Sequence, residues 1–131
     1  MVEFAIVLPL LLVLVFGIIE FGFLLYNRAM ITNASREGAR AGIVFQSPAR
    51  TGEDPNQIRD VVEDYCADFL VTFGGPASVA VTVNPAPTTL AAGDPLTVTV
   101  VYPYSFLVIP NLVTDIFGTV NLTAVTVMRA E

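Results

Sequence analysis

The sequence predicts an α+β protein: a long N-terminal helix of the transmembrane type, a short second helix and a small, mainly antiparallel sheet. Three observations predict it. Sixteen consecutive uncharged residues run from Phe4 to Ile19, and after Pro9 no proline interrupts the chain until Pro48. Apolar residues then recur at helical spacing between Ile58 and Leu70, and from Val79 onward the period changes to two, as in half-buried strands.

The first helix is predicted over residues 1–45. Its apolar run, allowing Glu20, reaches Tyr26, a total of 23 residues. That length suits one membrane span over about 4–26, at about 1.5 Å rise per residue across roughly 30 Å of hydrocarbon. A cleaved secretory signal fits less well, because its apolar region is normally about 7–15 residues long and lies behind a basic start. The run then continues through "YNRAMITNASREGARAGIVF", which predicts one helix of the order of 65 Å, half in lipid and half out. In this second half Ala34, Gly38 and Gly42 recur every four positions and share a face. Small residues let another backbone approach closely. That face packs either on the protein's own globular domain or on another copy.

Residues 46–131 form the small globular α+β domain. Its second helix opens with Asp54 as cap, Pro55 at the first helical position and Gln57 completing a capping box. Ile58, Val61, Val62, Tyr65, Cys66, Phe69 and Leu70 make its apolar face, up to the break at Gly74, Gly75 and Pro76. Asp60, Glu63, Asp64 and Asp68 on the other face read as a solvated surface rather than a cation site, since no glycine loop presents the oxygens. Strands are predicted where Val79, Val81 and Val83 alternate with Ser78, Ala80 and Thr82, and where Leu96, Val98, Val100 and Tyr102 alternate with Thr97, Thr99 and Val101. A third runs from about Thr119 to Met128. There Val120 and Leu122 are in phase and Val125 and Val127 out of it, which predicts a bulge near Ala124 or burial of both faces. The stretch "SFLVIPNLVTDIFG" is too apolar for a free loop and is expected to cover one end of the sheet or meet a neighbour.

Composition excludes several classes of function. Hydrophobic residues make up 54% of the 131, with the excess in the first 26 positions. The net charge is −6 and all six cations are arginines, which argues against nucleic acid or anionic lipid headgroups as partners. With no histidine and no lysine the chain assembles no Ser-His-Asp, Cys-His or Ser-Lys nucleophile and no histidine-based zinc site. Its carboxylate pairs are sequence neighbours that do not face each other across a substrate. The reading is therefore of a non-enzyme without metal or cofactor. Cys66 is the one cysteine, so no disulfide forms within the chain.

The charges inside the apolar run need reasons of their own. A charge at mid-bilayer costs about 2.5–3.5 kcal/mol on insertion scales, so Glu20 is expected near the interface or against a partner once helices bundle. Arg28 stands eight residues on, about 12 Å of rise away, which leaves a donor from a neighbouring subunit as the candidate. Pro9 removes the bond to the carbonyl of Ala5 and weakens the helix there. Glu3 in the first turn is favoured by the helix dipole by about 0.3–1 kcal/mol. The alternative for Glu3 is a pair with the α-amine of a neighbouring copy, which would fix the register of docking.

The segment "MVEFAIVLPLLLVLVFGIIEFGFLLYNRAMITNASREGARAG" resembles the N-terminal signature of the TadE-like family, pilins and pseudopilins of tight-adherence (Tad, or Flp) type IV pilus systems. The resemblance is carried by Val2-Glu3-Phe4-Ala5, Leu8-Pro9, Gly17 to Gly22 and Asn33 to Arg40, and "VTVMRAE" at the end is similar to the family's closing strand. It implies a type IV pilin-like fold, with Glu3, Phe4, Pro9, Gly17, Glu20 and Gly22 joining the face of Ala34, Gly38 and Gly42 as candidate subunit-packing residues. It also implies cleavage by a prepilin peptidase, a wait in the inner membrane surrounded by lipid, extraction by an ATPase-driven assembly machinery, and a filament of identical copies on the cell surface. Pilins usually carry this glutamate as the fifth mature residue. Its place at Glu3 implies one or two further mature residues and a basic leader ahead of Met1, and such a leader would reverse the orientation that Arg28 and Arg36 alone suggest.

Overall fold

The computed structural model describes residues 2–43, 55–86, 89–107 and 120–130. Helix α1 spans Val2–Ile43 and α2 Pro55–Phe69; strands β1, β2 and β3 span Ala80–Asn84, Pro95–Tyr104 and Val120–Arg129. The architecture is α+β, as the change of period implies. Helix α1 runs through Pro9 without a break, and the interior of its second half holds Ala, Ile, Arg and Met, good or tolerable helix formers. The cap expected at Asp54 lies outside the described residues. Along α2 and one residue past its end, Ile58, Val62, Cys66 and Leu70 are buried, four-residue steps that keep one stripe inward, while Asp60, Glu63, Asp64 and Asp68 are exposed. Phe69, assigned to the buried stripe by its spacing, is exposed instead.

The sheet has the order β1-β2-β3 and is antiparallel throughout. Its inner face carries Val81 from β1, Leu96, Val98, Val100, Tyr102 and Tyr104 from β2, and Leu122 and Ala124 from β3, all buried. Helices α1 and α2 cover that face and give a two-layer domain, with Ile31, Ala34 and Ala39 of α1 in the same core as Ile58 and Val62 of α2. The backbone of Ala130 exchanges hydrogen bonds with Gly93 and Asp94, which ties the end of β3 to the turn before β2.

One expectation is corrected. Strand β3 has neither a bulge near Ala124 nor two covered faces. Its pairing with β2 is continuous from Pro95↔Arg129 to Tyr104↔Val120, and the alternation holds to the end. Thr126 and Met128 take the inward positions, and Val125 and Val127 point outward, 59% and 58% exposed. The phase break in the sequence is a polar residue facing in and two valines facing out. The core crosses the division at residue 45, since Ile31, Ala34 and Ala39 of α1 belong to the same cluster as the buried residues of α2 and the sheet. Of the apolar stretch from Ser105 to Gly118, Phe106 packs against the core and edge-on to Tyr104, with ring centroids 5.2 Å apart. Its remainder after Leu107 lies outside the described residues.

Candidate functional site

The feature that invites a function is α1 itself, bare at one end and buried at the other. From Phe4 to Ile19 thirteen large apolar side chains are exposed, on every side of the helix. Burying such a side chain is worth about 1.5–3 kcal/mol, so leaving thirteen in water forfeits on the order of 20 kcal/mol or more, beyond the stability of an ordinary domain. This surface requires an apolar cover. Among the described residues α1 is the one helix long and apolar enough to cross a membrane. Of the candidate packing residues, Phe4 and Pro9 are exposed on this half. Gly17 and Gly22 have nothing within 4 Å of where a Cβ would stand, so both leave open notches. Glu3 lies in the first turn. What its side chain meets lies outside the described residues.

Glu20 marks the change from bare to buried. Its residue is 6% exposed, and Oε1 accepts hydrogen bonds from the Tyr104 hydroxyl and from the backbone N–H of Leu107, each at 2.9 Å. The donors come from the chain's own sheet and the residues after it, where a neighbouring subunit had been the expected source. Strand β2 ends beside the helix at this level, and a Tyr at its last inward position reaches the carboxylate. Burial, and then the bond to Glu20, hold the Tyr104 hydroxyl well above the usual phenol range, so it remains a donor at any physiological pH. A charge that would be costly in lipid is thereby covered by protein and hydrogen-bonded.

Two turns further, Asn27 is fully buried. Its Nδ2 donates to the Val71 carbonyl at 2.8 Å and its Oδ1 accepts from the Val71 N–H at 3.0 Å, so one amide satisfies both backbone groups of the second residue after α2. Ser35, also fully buried, shares a 2.6 Å hydrogen bond with Thr126, which explains the polar residue facing inward on β3. Sequence reasoning missed Asn27, Ser35 and Tyr104. The signal for Asn27 was present, because Glu20, Asn27 and Ala34 are seven apart and hence lie close to one helix face.

The small-residue face meets the chain's own domain. A Cβ on Gly38 would stand 2.5 Å from Val62 Cγ2, and one on Gly42 would stand 2.6 Å from Ile58 Cδ1 and from Leu96 Cδ2. Ala34 is fully buried beside them. Of the two partners the spacing allowed, the chain's own domain is the one seen at Gly38 and Gly42, where side chains of α2 and β2 fill the space. The close approach predicted by the spacing is present, and it is intramolecular.

With this geometry in place, comparison with known proteins places the N-terminal segment. Residues 1–40 match the family described as TadE-like protein. The match ends within the small-residue face and includes both Glu3 and Glu20. No curated protein and no solved structure matches the chain. The TadE-like segment is thus the bare half of α1 together with most of the half that completes the domain's core.

Proposed function

We propose that this chain is a structural pilin, a subunit that polymerises through its N-terminal helix into an extracellular Tad-like type IV pilus used for surface adhesion. One observation carries the reading: a TadE-like helix along which none of the sixteen residues from Phe4 to Ile19 is buried in its own chain. Lipid of the inner membrane covers this surface before assembly, and the helices of other copies cover it afterwards, so that the apolar area stays out of water at both stages. Prepilin peptidase and the inner-membrane assembly machinery act between the two. The protein works by association, without catalysis, metal or cofactor. Glu3 sets the register by pairing with a neighbour's α-amine, a pair that lowers the cost of burying both charges.

The test is electron microscopy of sheared surface filaments with mass spectrometry of their subunits. The proposal expects this chain as the main component, and expects Glu3→Gln to insert and mature normally while few or no fibres form. A trace share of the filament would make it instead a minor pseudopilin that initiates or regulates assembly. Absence from filaments would leave a single-pass anchored binding domain.

A further inference from the structure

We propose that the base of the globular domain is itself a lipid-contacting surface: the turn 71–75 and residues 105–107, with Phe73 and Leu107 exposed on them, sit in the interfacial layer of the bilayer around α1. The inference rests on the reading that α1 anchors the chain in a membrane, and deepens it by naming a second contact with the lipid.

The uncharged stretch of α1 between Glu3 and Glu20 falls short of a full span. Sixteen residues from Phe4 to Ile19 rise about 24 Å, against roughly 30 Å of hydrocarbon. The missing 6 Å or so corresponds to four further residues, up to the level of Phe23 and Leu24. Both segments are fastened to α1 at that level or within a turn of it. The N–H of Leu107 donates to Glu20 at 2.9 Å. The Phe73 ring meets Phe23 edge-on, with centroids 5.0 Å apart, and Asn27 holds Val71 through both backbone groups. An apolar groove lined by Ile19, Gly22, Phe23, Tyr26 and Val71 runs along the same boundary. A bilayer thick enough to be spanned therefore brings its surface to these segments.

Their chemistry suits that place. Glu20 is buried, so the exposed side of α1 presents no charge until Arg28. No charged residue occurs between Asp68 and Asp94 or between Asp94 and Asp115, the two stretches that supply these segments. Phe73 is 37% exposed and Leu107 51% exposed. Phe73 has a φ of 50°, a left-handed backbone in which a bulky side chain is crowded and glycine would be unstrained. A large aromatic ring kept at such a turn, half against Phe23 and half outside, fits the amphipathic boundary between acyl chains and headgroups.

The chain has no tryptophan, so single-tryptophan variants report without background. Phe16→Trp, Phe73→Trp, Leu107→Trp and Val125→Trp are each placed in the full chain and reconstituted into phosphatidylcholine vesicles, at a lipid excess that isolates single copies. Some vesicles contain lipid brominated near the carbonyl end of its chains. Phe73→Trp and Leu107→Trp are expected to emit at shorter wavelength than Val125→Trp, on the outer face of the sheet, and to lose emission to the bromines as Phe16→Trp does. Quenching of Phe16→Trp with none at Phe73→Trp and Leu107→Trp overturns the lipid-seated base and leaves the anchor standing. A short-wavelength emission at these two positions without bromine quenching means a protein neighbour and overturns it equally. Loss of quenching at all four positions overturns the anchor reading, and this inference with it.

Discussion

Phe16 and Phe23 stand two turns apart on α1 and close to the same helix face, yet one is exposed along the bare half and the other packs edge-on against Phe73 of its own chain. The same contrast holds for glycine. Gly17 faces empty space, whereas a Cβ on Gly38 would run into Val62. Residue type does not separate the halves of α1, because both are rich in apolar or small residues. What separates them is whether polar groups on the helix find partners in the rest of the fold. Glu20, Asn27 and Ser35 each do, with Tyr104, Val71 and Thr126. Ahead of Glu20 the described side chains are uncharged and none is buried in the chain. A single helix thus serves two solvents, and the change comes within about a turn of Glu20.

The strongest way to break this comparison is to cut the helix at two places. Removal of residues before Glu20 is expected to leave cooperative thermal unfolding of the remainder almost unchanged, since no described side chain there is buried. A chain that starts at Gln46 loses Ile31, Ala34 and Ala39 and uncovers Ile58 and Val62. Large buried residues lost from a core cost about 2–5 kcal/mol each, so this fragment should show no cooperative transition by circular dichroism. A well-folded Gln46 fragment would show that the second half of α1 is not part of the core.

Next in size is a matched pair of glycine substitutions. Gly38→Leu overfills the contact with Val62 and Ile58 and should destabilise the subunit by about 1–3 kcal/mol or more, read as a lower midpoint of thermal unfolding. Gly17→Leu should leave that midpoint unmoved in detergent. Equal effects at both positions would erase the distinction.

Smaller losses sharpen where the boundary lies. Tyr104→Phe removes a donor to the Glu20 carboxylate, a loss of about 1.5–3 kcal/mol for a hydrogen bond to a charged group. Asn27→Ala leaves both backbone groups of Val71 without their partner and should cost about 1–3 kcal/mol. Both are measured by denaturant unfolding of the full chain in detergent. A cost near zero for Tyr104→Phe would mean that Glu20 is not held by the domain.

The smallest effect appears only at alkaline pH. Burial, with Glu63 nearby, pushes the Cys66 thiol from 9.0 up to about 11. Its folded pKa is the higher one, so the stability it contributes is whole below pH 9 and is lost as pH rises toward 11. Tyr102 and Tyr104, also pushed up chiefly by burial, act in the same direction. Thermal unfolding should therefore fall off above pH 9, and less steeply in Cys66→Ala. An identical decline in the two proteins would mean that the thiol is not buried in the fold.

Much of the architecture was legible because each element repeats a period. The helical stripe of Ile58, Val62, Cys66 and Leu70 and the strand alternation of Leu96, Val98 and Val100 are read directly, and all are buried. The site was legible by halves. Periodicity locates a small-residue face, but the spacing of Ala34, Gly38 and Gly42 says only that another backbone comes close, not whose. Glu20 presents the same difficulty, since its donor Tyr104 is 84 residues away and nothing local announces it. On β3 the outward Val125 and Val127 mislead because composition registers burial only on average. Thr126, facing in, is accounted for by its bond to Ser35 on another element.

The central claim is that the bare half of α1 meets other molecules while the other half meets its own domain, and the two phenylalanines test it in one experiment. Benzoylphenylalanine is placed at Phe16 or at Phe23 in the full chain, surface filaments are sheared off and irradiated, and cross-linked species are separated by size and mapped by mass spectrometry. The account predicts covalent dimers and higher multimers of this chain from position 16, and from position 23 cross-links within one chain, to the turn around Phe73. Multimers from position 23 as abundant as those from position 16, or internal cross-links alone from position 16, would contradict it.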